Sequence, residues 1–280
     1  MTFFAMFSGI SICFFIDFRS IASGGSQYLQ GVSYCYMMFL LFCAALIFFL
    51  VSAAIWWLWH WLVIITEGVY LGPRIVVWLY DREAWRYDAI KEYDMNDELI
   101  LLVEPVLGEL QGRKKPVVLD VATGTGRVPI FLFADGRFQH KRKGGVVGLD
   151  ASREMLTLAK KNLVGFESHI DFTLGSADHI PYPDQTFDAV TCLESLEFFP
   201  NLSRALDEMV RVLQPDCSLL VTRRAGWEAK WFLGRYYSKE AFVELLRSKG
   251  LVDVVIYQWQ DNYDLAIGRK PQSGEGVWLD

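Results

Sequence analysis

The chain has 280 residues, of which 52% are hydrophobic and 15% aromatic, and its formal net charge is −6. This length suits one α/β domain with an added segment, and the acidic balance argues against a nucleic-acid partner, because phosphate binding needs a basic surface. The five cysteines include no C-x-x-C pair and no Cys/His spacing suited to zinc. No metal site is therefore expected, and all five cysteines are interpreted as reduced, as in a reducing compartment.

Residues 1–36 are an apolar N-terminal segment whose role stays open. Its continuous apolar run, 3–16, ends at Asp17 and Arg19. The run is shorter than the roughly 20 residues that cross a bilayer, and it lacks the basic leading part of a secretory signal. A cleaved signal peptide is therefore not expected, and a second membrane segment is not assigned.

Residues 37–65 are predicted to form a transmembrane helix. The stretch 21–66 contains no Asp, Glu, Lys or Arg, and its densest part is longer than a bilayer requires. Four tryptophans near its far end form a plausible interfacial belt: Trp56, Trp57, Trp59 and Trp61. The alternative is a buried helix of a soluble core, which rarely runs this long without a charge.

Positive charge predicts the orientation of this single span. The segment before it carries only Arg19, whereas the segment after it carries Arg74, Arg82, Arg86 and Lys91. Lys and Arg accumulate on the cytoplasmic side of membrane proteins. We therefore expect the C-terminal domain to lie in the cytoplasm.

Residues 66–95 are predicted to be a juxtamembrane amphipathic helix, with Pro73 in its first turn. Apolar positions such as Ile75 and Trp78 alternate with basic positions such as Arg74 and Arg82. This pattern is typical of a helix that lies among lipid headgroups. A helix that packs on the following domain has the same pattern, and both interpretations are open.

The sequence pattern changes at about residue 96, where strands and helices start to alternate. This change predicts a domain at 96–272, followed by a tail at 273–280. The apolar period at 97–110 indicates a helix. Strand patterns follow at 117–121, 145–149, 170–174, 189–192 and 218–222, with helical patterns at about 127–135, 153–163 and 203–213. A further helix at 239–249 and two strands, 252–258 and 263–267, end the domain as a predicted hairpin. Such alternation indicates a parallel sheet covered on both faces.

The most informative stretch is Asp120-Val121-Ala122-Thr123-Gly124-Thr125-Gly126, where a strand enters a Gly-rich turn that opens a helix. Glycine allows the backbone to approach a ligand closely, and ligands of α/β sheets bind at the carboxyl ends of strands. A dinucleotide fingerprint, G-x-G-x-x-G, would need a third glycine where Pro129 stands. The pattern therefore argues against a nicotinamide oxidoreductase.

The stretch resembles the first motif of class I S-adenosylmethionine (SAM) dependent methyltransferases, of the type 11 or quinone-methyltransferase-like kind. Ala122 stands where many members have a glycine, and Cys217 also replaces a usual glycine. Later motifs follow in the family's order: GVVGLDAS, GSAD, TCLESLEFFPN and ALDEMVRVLQPDCSLLVT. The resemblance covers about residues 115–225. It implies an α/β fold with a Rossmann-like, mostly parallel sheet and an antiparallel C-terminal edge, preceded here by the transmembrane helix.

The resemblance also implies a SAM site. In the family, an acidic residue at the position of Asp150 accepts hydrogen bonds from both ribose hydroxyls, and one at the position of Asp178 binds the adenine amino group. Taken singly, each of these carboxylates could instead be a turn or cap residue. The expected cofactor-binding set is Asp120, Ala122, Thr123, Gly124, Gly126, Asp150, Ala151, Met155, Ala177, Asp178 and Leu193.

The catalytic residues are not assigned. Many relatives read L-E-H after the fourth strand, whereas this chain reads Leu196-Glu197-Phe198, so a histidine base is excluded at that place. Glu194, Glu197 and Tyr236 are weak candidates, and for the two glutamates helix solvation or capping is the alternative role. Methyl transfer itself mainly requires positioning.

The segment 223–238 is rich in aromatic residues and either lines an acceptor pocket or packs on the sheet; these residues are Trp227, Trp231, Phe232, Tyr236 and Tyr237. Either role suits a small hydrophobic acceptor such as a quinone, an isoprenoid or a lipid, and a membrane tether would raise its effective concentration. The sequence thus predicts a membrane-anchored methyltransferase. The alternative is a catalytically silent SAM-binding scaffold or sensor.

Overall fold

The computed structural model describes residues 25–91, 94–138 and 144–272. The apolar run 3–16 and the tail 273–280, both considered above, lie outside the described residues. The chain divides into two compact units, Met1–Trp59 and His60–Asp280. The first contributes most of one long helix, and the second contains all seven strands of the sheet.

The long helix, α1, extends over Gly25–His60, and a π-helical segment, Trp61–Ile65, continues it. Within it, Tyr36–Ile65 is a 30-residue stretch of mean hydropathy 2.8 whose most apolar window contains no buried residue. At 1.5 Å per residue this stretch is about 45 Å long, which exceeds the hydrocarbon thickness of a bilayer. By length and composition the predicted span is therefore able to cross a membrane. The helix starts before the predicted boundary, because residues 25–36 contain no proline to stop it.

Three further α-helices lie between α1 and the first strand. Helix α2 extends over Pro73–Lys91 and begins with the predicted proline. The helix expected at 97–110 is instead three consecutive pieces: α3 (Met95–Glu98), a π-helical segment (Leu99–Val103) and α4 (Glu104–Glu109). Pro105, in the first turn of α4, has no N–H to donate to the preceding turn. This missing donor explains why the regular α-helical ladder is interrupted just before it.

The strands and the remaining helices follow in alternation. The strands are β1 (Val117–Val121), β2 (Gly145–Asp150), β3 (Ile170–Leu174), β4 (Phe187–Cys192), β5 (Leu213–Arg224), β6 (Val252–Gln260) and β7 (Tyr263–Arg269). The helices are α5 (Arg127–Asp135), α6 (Arg153–Asn162), α7 (Leu202–Val212) and α8 (Lys239–Ser248). Ser152, Asn201 and Ser238 cap α6, α7 and α8 through their side-chain oxygens, which is the usual role of Ser and Asn at the start of a helix.

The seven strands form one sheet in the order β3-β2-β1-β4-β5-β7-β6. The pairs among β1 to β5 are parallel, whereas β7 is antiparallel to both β5 and β6. The predicted hairpin is therefore present. Its second strand lies inside the sheet between β5 and β6, so the edge strand is β6.

Strand β5 is longer than the predicted 218–222. It begins at Leu213, directly after α7, and a register shift against β4 lies between Phe187 and Ala189. Pro215 and Asp216 interrupt the apolar pattern in this early part, which hides the strand from a periodicity argument. Asp216 also has a positive φ of 59°, as expected where a strand bulges.

Two hydrophobic clusters cover the two faces of the sheet. One contains Phe187, Leu206 and Phe242, and the other contains Leu132, Phe138 and Trp259. Residues of β1 divide between them: Leu119 and Val121 belong to the first, and Val118 to the second. This division follows from the two-residue period of a strand. Both faces are thus buried, and the carboxyl ends of the parallel strands remain available for a site.

Candidate functional site

The Gly-rich turn after β1 adopts backbone angles that explain its composition. Ala122, Gly124 and Gly126 have φ values of 56°, 57° and 92°, a region that favours glycine. A Cβ atom at Gly126 would lie 2.9 Å from Leu163 Cδ1 and 3.4 Å from Ala159 Cβ. Gly126 therefore lets the turn approach α6 closely, at the N-terminal cap of α5.

Asp150, at the end of β2, faces this turn. Its Oδ2 accepts a hydrogen bond of 2.8 Å from the backbone N–H of Gly124, and its Oδ1 accepts one of 2.8 Å from that of Ser152. Burial raises the pKa of Asp150, although these backbone donors oppose the shift. Backbone donors thus fix the carboxylate, whose two oxygens together have capacity for further donors.

Asp120, at the end of β1, is almost fully buried. The Thr191 hydroxyl donates to its Oδ1 at 2.7 Å. Burial raises the pKa of Asp120 from 3.8 to about 6, because a charged carboxylate loses its hydration. The carboxylate of Asp120 is therefore held where burial disfavours its charged form, and such perturbed acids are frequent at functional sites.

An open cavity lies beside these residues, with about 870 Å³ of empty space of which part is open solvent. Seven of the predicted cofactor-binding residues line it: Ala122, Gly124, Asp150, Ala151, Met155, Ala177 and Leu193. A second, smaller open cavity adjoins it through shared residues and is lined by Asp120, Thr123 and Arg127 among others. Two predicted residues line neither cavity: Gly126 packs on α6, and the carbonyl of Asp178 accepts from Arg204 Nε at 2.9 Å.

Helix α2 forms a wall of the larger cavity, which the sequence did not indicate. Pro73, Val76, Val77, Tyr80 and Tyr87 line it. The spacing of these residues has the period of one helix face, so the pattern identified a buried face but not what the face covers. This finding favours the interpretation in which the amphipathic helix packs on the domain.

Asp81 attaches α2 to the cofactor side of the sheet. Its Oδ1 accepts a bond of 2.5 Å from the Ser152 hydroxyl and one of 3.3 Å from the backbone N–H of Glu154. Both donors belong to the N-terminal turn of α6, where negative charge is favourable. The cavity wall and the loop after β2 are therefore linked directly.

Of the three catalytic candidates, only Glu194 lines the two cavities. It follows β4 with a positive φ of 51°, and its carboxylate accepts from Arg127 Nη1 at 2.5 Å. Arg127 also donates from Nε and Nη2 to both oxygens of the buried Glu98, at 3.0 and 2.5 Å. Arg127 and Glu98 were not predicted, since nothing local in their neighbourhood indicates a partner about thirty residues away.

Glu197 and Tyr236 lie elsewhere. Glu197 is buried, and its Oε1 accepts from Arg224 Nε at 2.5 Å and from the Tyr263 hydroxyl at 2.7 Å. Tyr236 is largely exposed, with the Arg223 guanidinium 5.9 Å from its ring centroid. Both side chains are thus engaged outside the two cavities.

The aromatic residues of 223–238 do not line these cavities either. Phe232 is buried and packs edge-on against Phe198 at a centroid distance of 6.0 Å, and Trp227 is exposed. For the aromatic residues of 223–238, the geometry therefore favours a packing role over the lining of an acceptor pocket. The apolar wall of the larger cavity consists instead of α2 and of Phe198, Phe199 and Pro200, which follow β4.

Comparison with known proteins places a methyltransferase domain at residues 119–221. The chain is 33% identical over 166 residues to the demethylmenaquinone methyltransferase of Thermotoga maritima, covering 57% of this chain and 66% of that protein. It is also 33% identical over 127 residues to the ubiquinone/menaquinone biosynthesis C-methyltransferase UbiE of Bartonella tribocorum, covering 45% and 47%. The chain thus spans from about half to just under two thirds of these relatives.

Solved structures share the fold. A protein of Methanococcus maripaludis assigned as an S-adenosyl-L-methionine-dependent methyltransferase aligns with a TM-score of 0.55 at 19% identity, covering 70% of this chain and 95% of that one. This likeness concerns architecture, namely the mixed seven-stranded sheet flanked by helices. The likeness shows the fold, and the domain match shows similarity to a methyltransferase domain at residues 119–221. Together with the order of motifs, these findings support a domain of the class I SAM-dependent kind, in which SAM is the cofactor.

Proposed function

We propose that this chain is a membrane-anchored methyltransferase that transfers the methyl group of SAM to a small apolar acceptor of the quinone, isoprenoid or lipid class. The observation that carries the proposal is the larger cavity, which joins the residues of the Gly-rich turn to an apolar wall. Ligand cavities combine mostly apolar walls with a few polar groups in this way. One cavity thus offers both a cofactor side and an acceptor side.

The chemistry of the side chains fits SAM. Asp150 has acceptor capacity for the two ribose hydroxyls, and Ala151, Met155 and Ala177 form an apolar surface for the adenine. In the second cavity, the carboxylates of Asp120 and Glu194 suit the ammonium group of the methionine part, and the Arg127 guanidinium suits its carboxylate. The proposal does not rely on Asp178 or on Gly126 as direct ligands.

SAM supplies the activated methyl group and its leaving group, and the chain binds and aligns the two reactants. The apolar side chains of α2 and of Phe198 and Phe199 exclude water around the acceptor. Glu194 stands at the boundary between the two cavities, held by Arg127 at 2.5 Å. It is the proposed acceptor of a proton if the substrate must lose one.

Two observations support the membrane location and the acceptor class. Tyr36–Ile65 has the length and composition of a membrane span. The relatives from Thermotoga maritima and Bartonella tribocorum carry names of quinone methyltransferases. Quinones with isoprenoid tails partition into bilayers, so an anchor would keep enzyme and acceptor in the same phase.

The test is transfer of radiolabel from SAM by the full-length protein in host membranes, followed by partition between organic and aqueous phases. We expect label in the organic phase, and we expect Asp150→Ala to abolish it. Asp171→Ala is the matched control, because Asp171 is an exposed aspartate on β3 outside both cavities. Label confined to water-soluble products would contradict an apolar acceptor.

A SAM-binding protein without turnover is the second candidate. Phe198 stands where many relatives carry a histidine, and its ring packs against Tyr80 of α2 at a centroid distance of 5.8 Å. If the wild-type protein binds SAM and the membranes contain no labelled product, this second function is correct. The Asp150→Ala variant then serves as the control for SAM binding.

A further inference from the structure

Helix α2 has two faces with different surroundings. Its inner face contains the buried Val76 and Ala84 and the cavity-lining Val77, Tyr80 and Tyr87. The inner face is also attached to α6 through Asp81 and Ser152. The outer face makes no comparable contact with the sheet domain, and it exposes large apolar side chains instead.

The exposed apolar side chains lie along one stripe of the helix. Trp78 is 53% exposed and Trp85 is 76% exposed, and Ile75 and Leu71 precede them at three- to four-residue spacing. Leu71 follows Tyr70, whose hydroxyl donates to the carbonyl of the exposed Leu233 at 2.9 Å. A contiguous apolar surface of this kind marks an interaction site on a protein.

Positive charge is interleaved with these residues. The Arg82 guanidinium lies 5.3 Å from the Trp78 ring centroid, and that of Arg86 lies 5.5 Å from the Trp85 ring centroid. Arg74 is exposed one turn earlier. Glu83 pairs with Arg82 and Arg86 at 3.0 and 3.5 Å, so the outer face of residues 73–87 keeps an excess of positive charge. Tryptophan with arginine suits the headgroup region of an anionic bilayer better than a protein interior.

The mouth of the larger cavity lies beside this surface. Most of its lining is buried or half-buried, and the exposed lining residues are Pro73 at the start of α2, Pro200 on the opposite apolar wall, and Ala151 and Ser176 on the cofactor side. The opening between Pro73 and Pro200 is therefore the part of the mouth that adjoins the apolar wall. Residues 66–72 separate Pro73 from Ile65, the last residue of the candidate span. Fully extended, they reach at most about 28 Å. A chain anchored at Ile65 therefore keeps the start of α2 near the bilayer surface.

We infer that the outer face of α2 docks on an anionic phospholipid surface and holds the mouth between Pro73 and Pro200 against the bilayer. A lipid-soluble acceptor then reaches the cavity directly from the bilayer along Val77 and Phe199. The docking is inferred from the exposed outer face of α2 alone, whereas the access route also depends on the proposed function. The arginines are attracted to an anionic surface, and the tryptophans anchor at the headgroups.

The first experiment measures lipid contact without turnover. The full-length protein is reconstituted in vesicles of phosphatidylcholine and phosphatidylglycerol whose acyl chains are brominated near the headgroup. The emission of Trp78 and Trp85 is the difference between the wild-type protein and the variant Trp78→Phe/Trp85→Phe. We expect bromolipid to quench this emission in the wild-type protein. If that emission is instead quenched only by aqueous acrylamide, the outer face lies in water and the inference is wrong.

The second experiment measures access. Demethylmenaquinol with a long isoprenoid tail, embedded in the same vesicles, is compared with a tailless naphthoquinol in solution. We expect Arg82→Glu/Arg86→Glu to raise the KM for the embedded acceptor at least tenfold, with kcat and the activity on the tailless acceptor within twofold of wild type. Lys114→Glu/Lys115→Glu is the matched control, because these exposed lysines precede the amino end of β1, whereas the cavities lie at the carboxyl ends of the strands.

The outcomes separate the two proposals. Equal loss on both acceptors, or no loss on the embedded one, would overturn the access route. If the wild-type protein methylates neither acceptor, a quinone is not its acceptor, and the access route for a bilayer-embedded quinone fails with it. The bromolipid measurement still decides the docking of α2 in that case.

Discussion

At the scale of a single residue, the buried carboxylate of Asp120 lowers the stability of the fold when it is charged. Its pKa is raised from 3.8 to about 6 by burial. The folded protein therefore binds a proton more tightly than the unfolded chain does, and stability falls as the pH rises from about 4 to 6. The charged Asp120 carboxylate therefore costs the folded state roughly 3 kcal/mol at neutral pH, and a cationic ligand beside the carboxylate would offset this cost.

We predict that Asp120→Asn gains stability relative to the wild type as the pH rises through the window from 4 to 6. The asparagine keeps an acceptor for the Thr191 hydroxyl, which donates at 2.7 Å in the wild type, and it carries no buried charge. Thermal unfolding of the full-length protein in detergent, measured across this pH range, checks the gain. The same variant should bind SAM at least tenfold more weakly above pH 6, and parallel pH profiles of the two proteins would refute the assignment.

Gly126 is the residue at which close packing matters most in the Gly-rich turn. We predict that Gly126→Ala lowers the free energy of unfolding by about 2 to 4 kcal/mol, because it adds strain at φ 92° to a Cβ contact of 2.9 Å. Gly165→Ala is the matched control: its φ is 96°, but nothing lies within 4 Å of the added Cβ. Denaturant unfolding of both variants separates strain from crowding. Equal losses would show that the contact with Leu163 has no energetic role.

At the scale of elements, the junction of α2 and α6 connects the apolar wall to the cofactor loop. Ser152 accepts from the backbone N–H of Met155 as the cap of α6 and donates to Asp81 of α2. One hydroxyl thus completes a helix terminus and holds a neighbouring helix. Periodicity indicated both helices, but only the tertiary contact shows that the Ser152 hydroxyl joins them.

We predict that Ser152→Ala lowers the free energy of unfolding by about 1 to 2 kcal/mol, which is the usual loss for a removed cap and its hydrogen bond. It should also increase amide hydrogen exchange in α2, because the Asp81 attachment is lost. Ser238→Ala is the comparison, since Ser238 caps α8 without contacting α2. Faster exchange of α2 in Ser238→Ala as well would show that the effect is global.

At the scale of the whole molecule, cofactor choice separates a methyltransferase from a dinucleotide enzyme with a related sheet. We predict that SAM at one hundred times its Kd stabilises the full-length protein by about 2.7 kcal/mol, as linkage requires, and that NAD and NADP at the same concentration leave Tm unchanged. Thermal unfolding with each ligand is the measurement. Stabilisation by a nicotinamide cofactor would contradict the conclusion that Pro129, which stands where the dinucleotide fingerprint needs its third glycine, excludes such a cofactor.

Much of the architecture is encoded locally and was therefore predictable. The strands β1 and β3 and the helix α5 have the predicted bounds, and Ser152, Asn201 and Ser238 cap the predicted helices. These features depend on residues within one or two turns of each other, so periodicity and cap chemistry are sufficient. The early part of β5 escaped prediction, because Pro215 and Asp216 look like a loop until β4 pairs with it.

Sequence by itself determined the kind of protein: a long uncharged apolar stretch, and an ordered set of strand-end motifs that identifies the SAM-dependent class. Only the tertiary structure decided that β7 lies between β5 and β6, that α2 is a cavity wall, and that Arg127 joins Glu98 to Glu194. It also separated Glu194, which reaches the cavities, from Glu197, which Arg224 and Tyr263 hold elsewhere. The physical reason is that these outcomes depend on contacts between residues far apart in the chain, which no local pattern encodes.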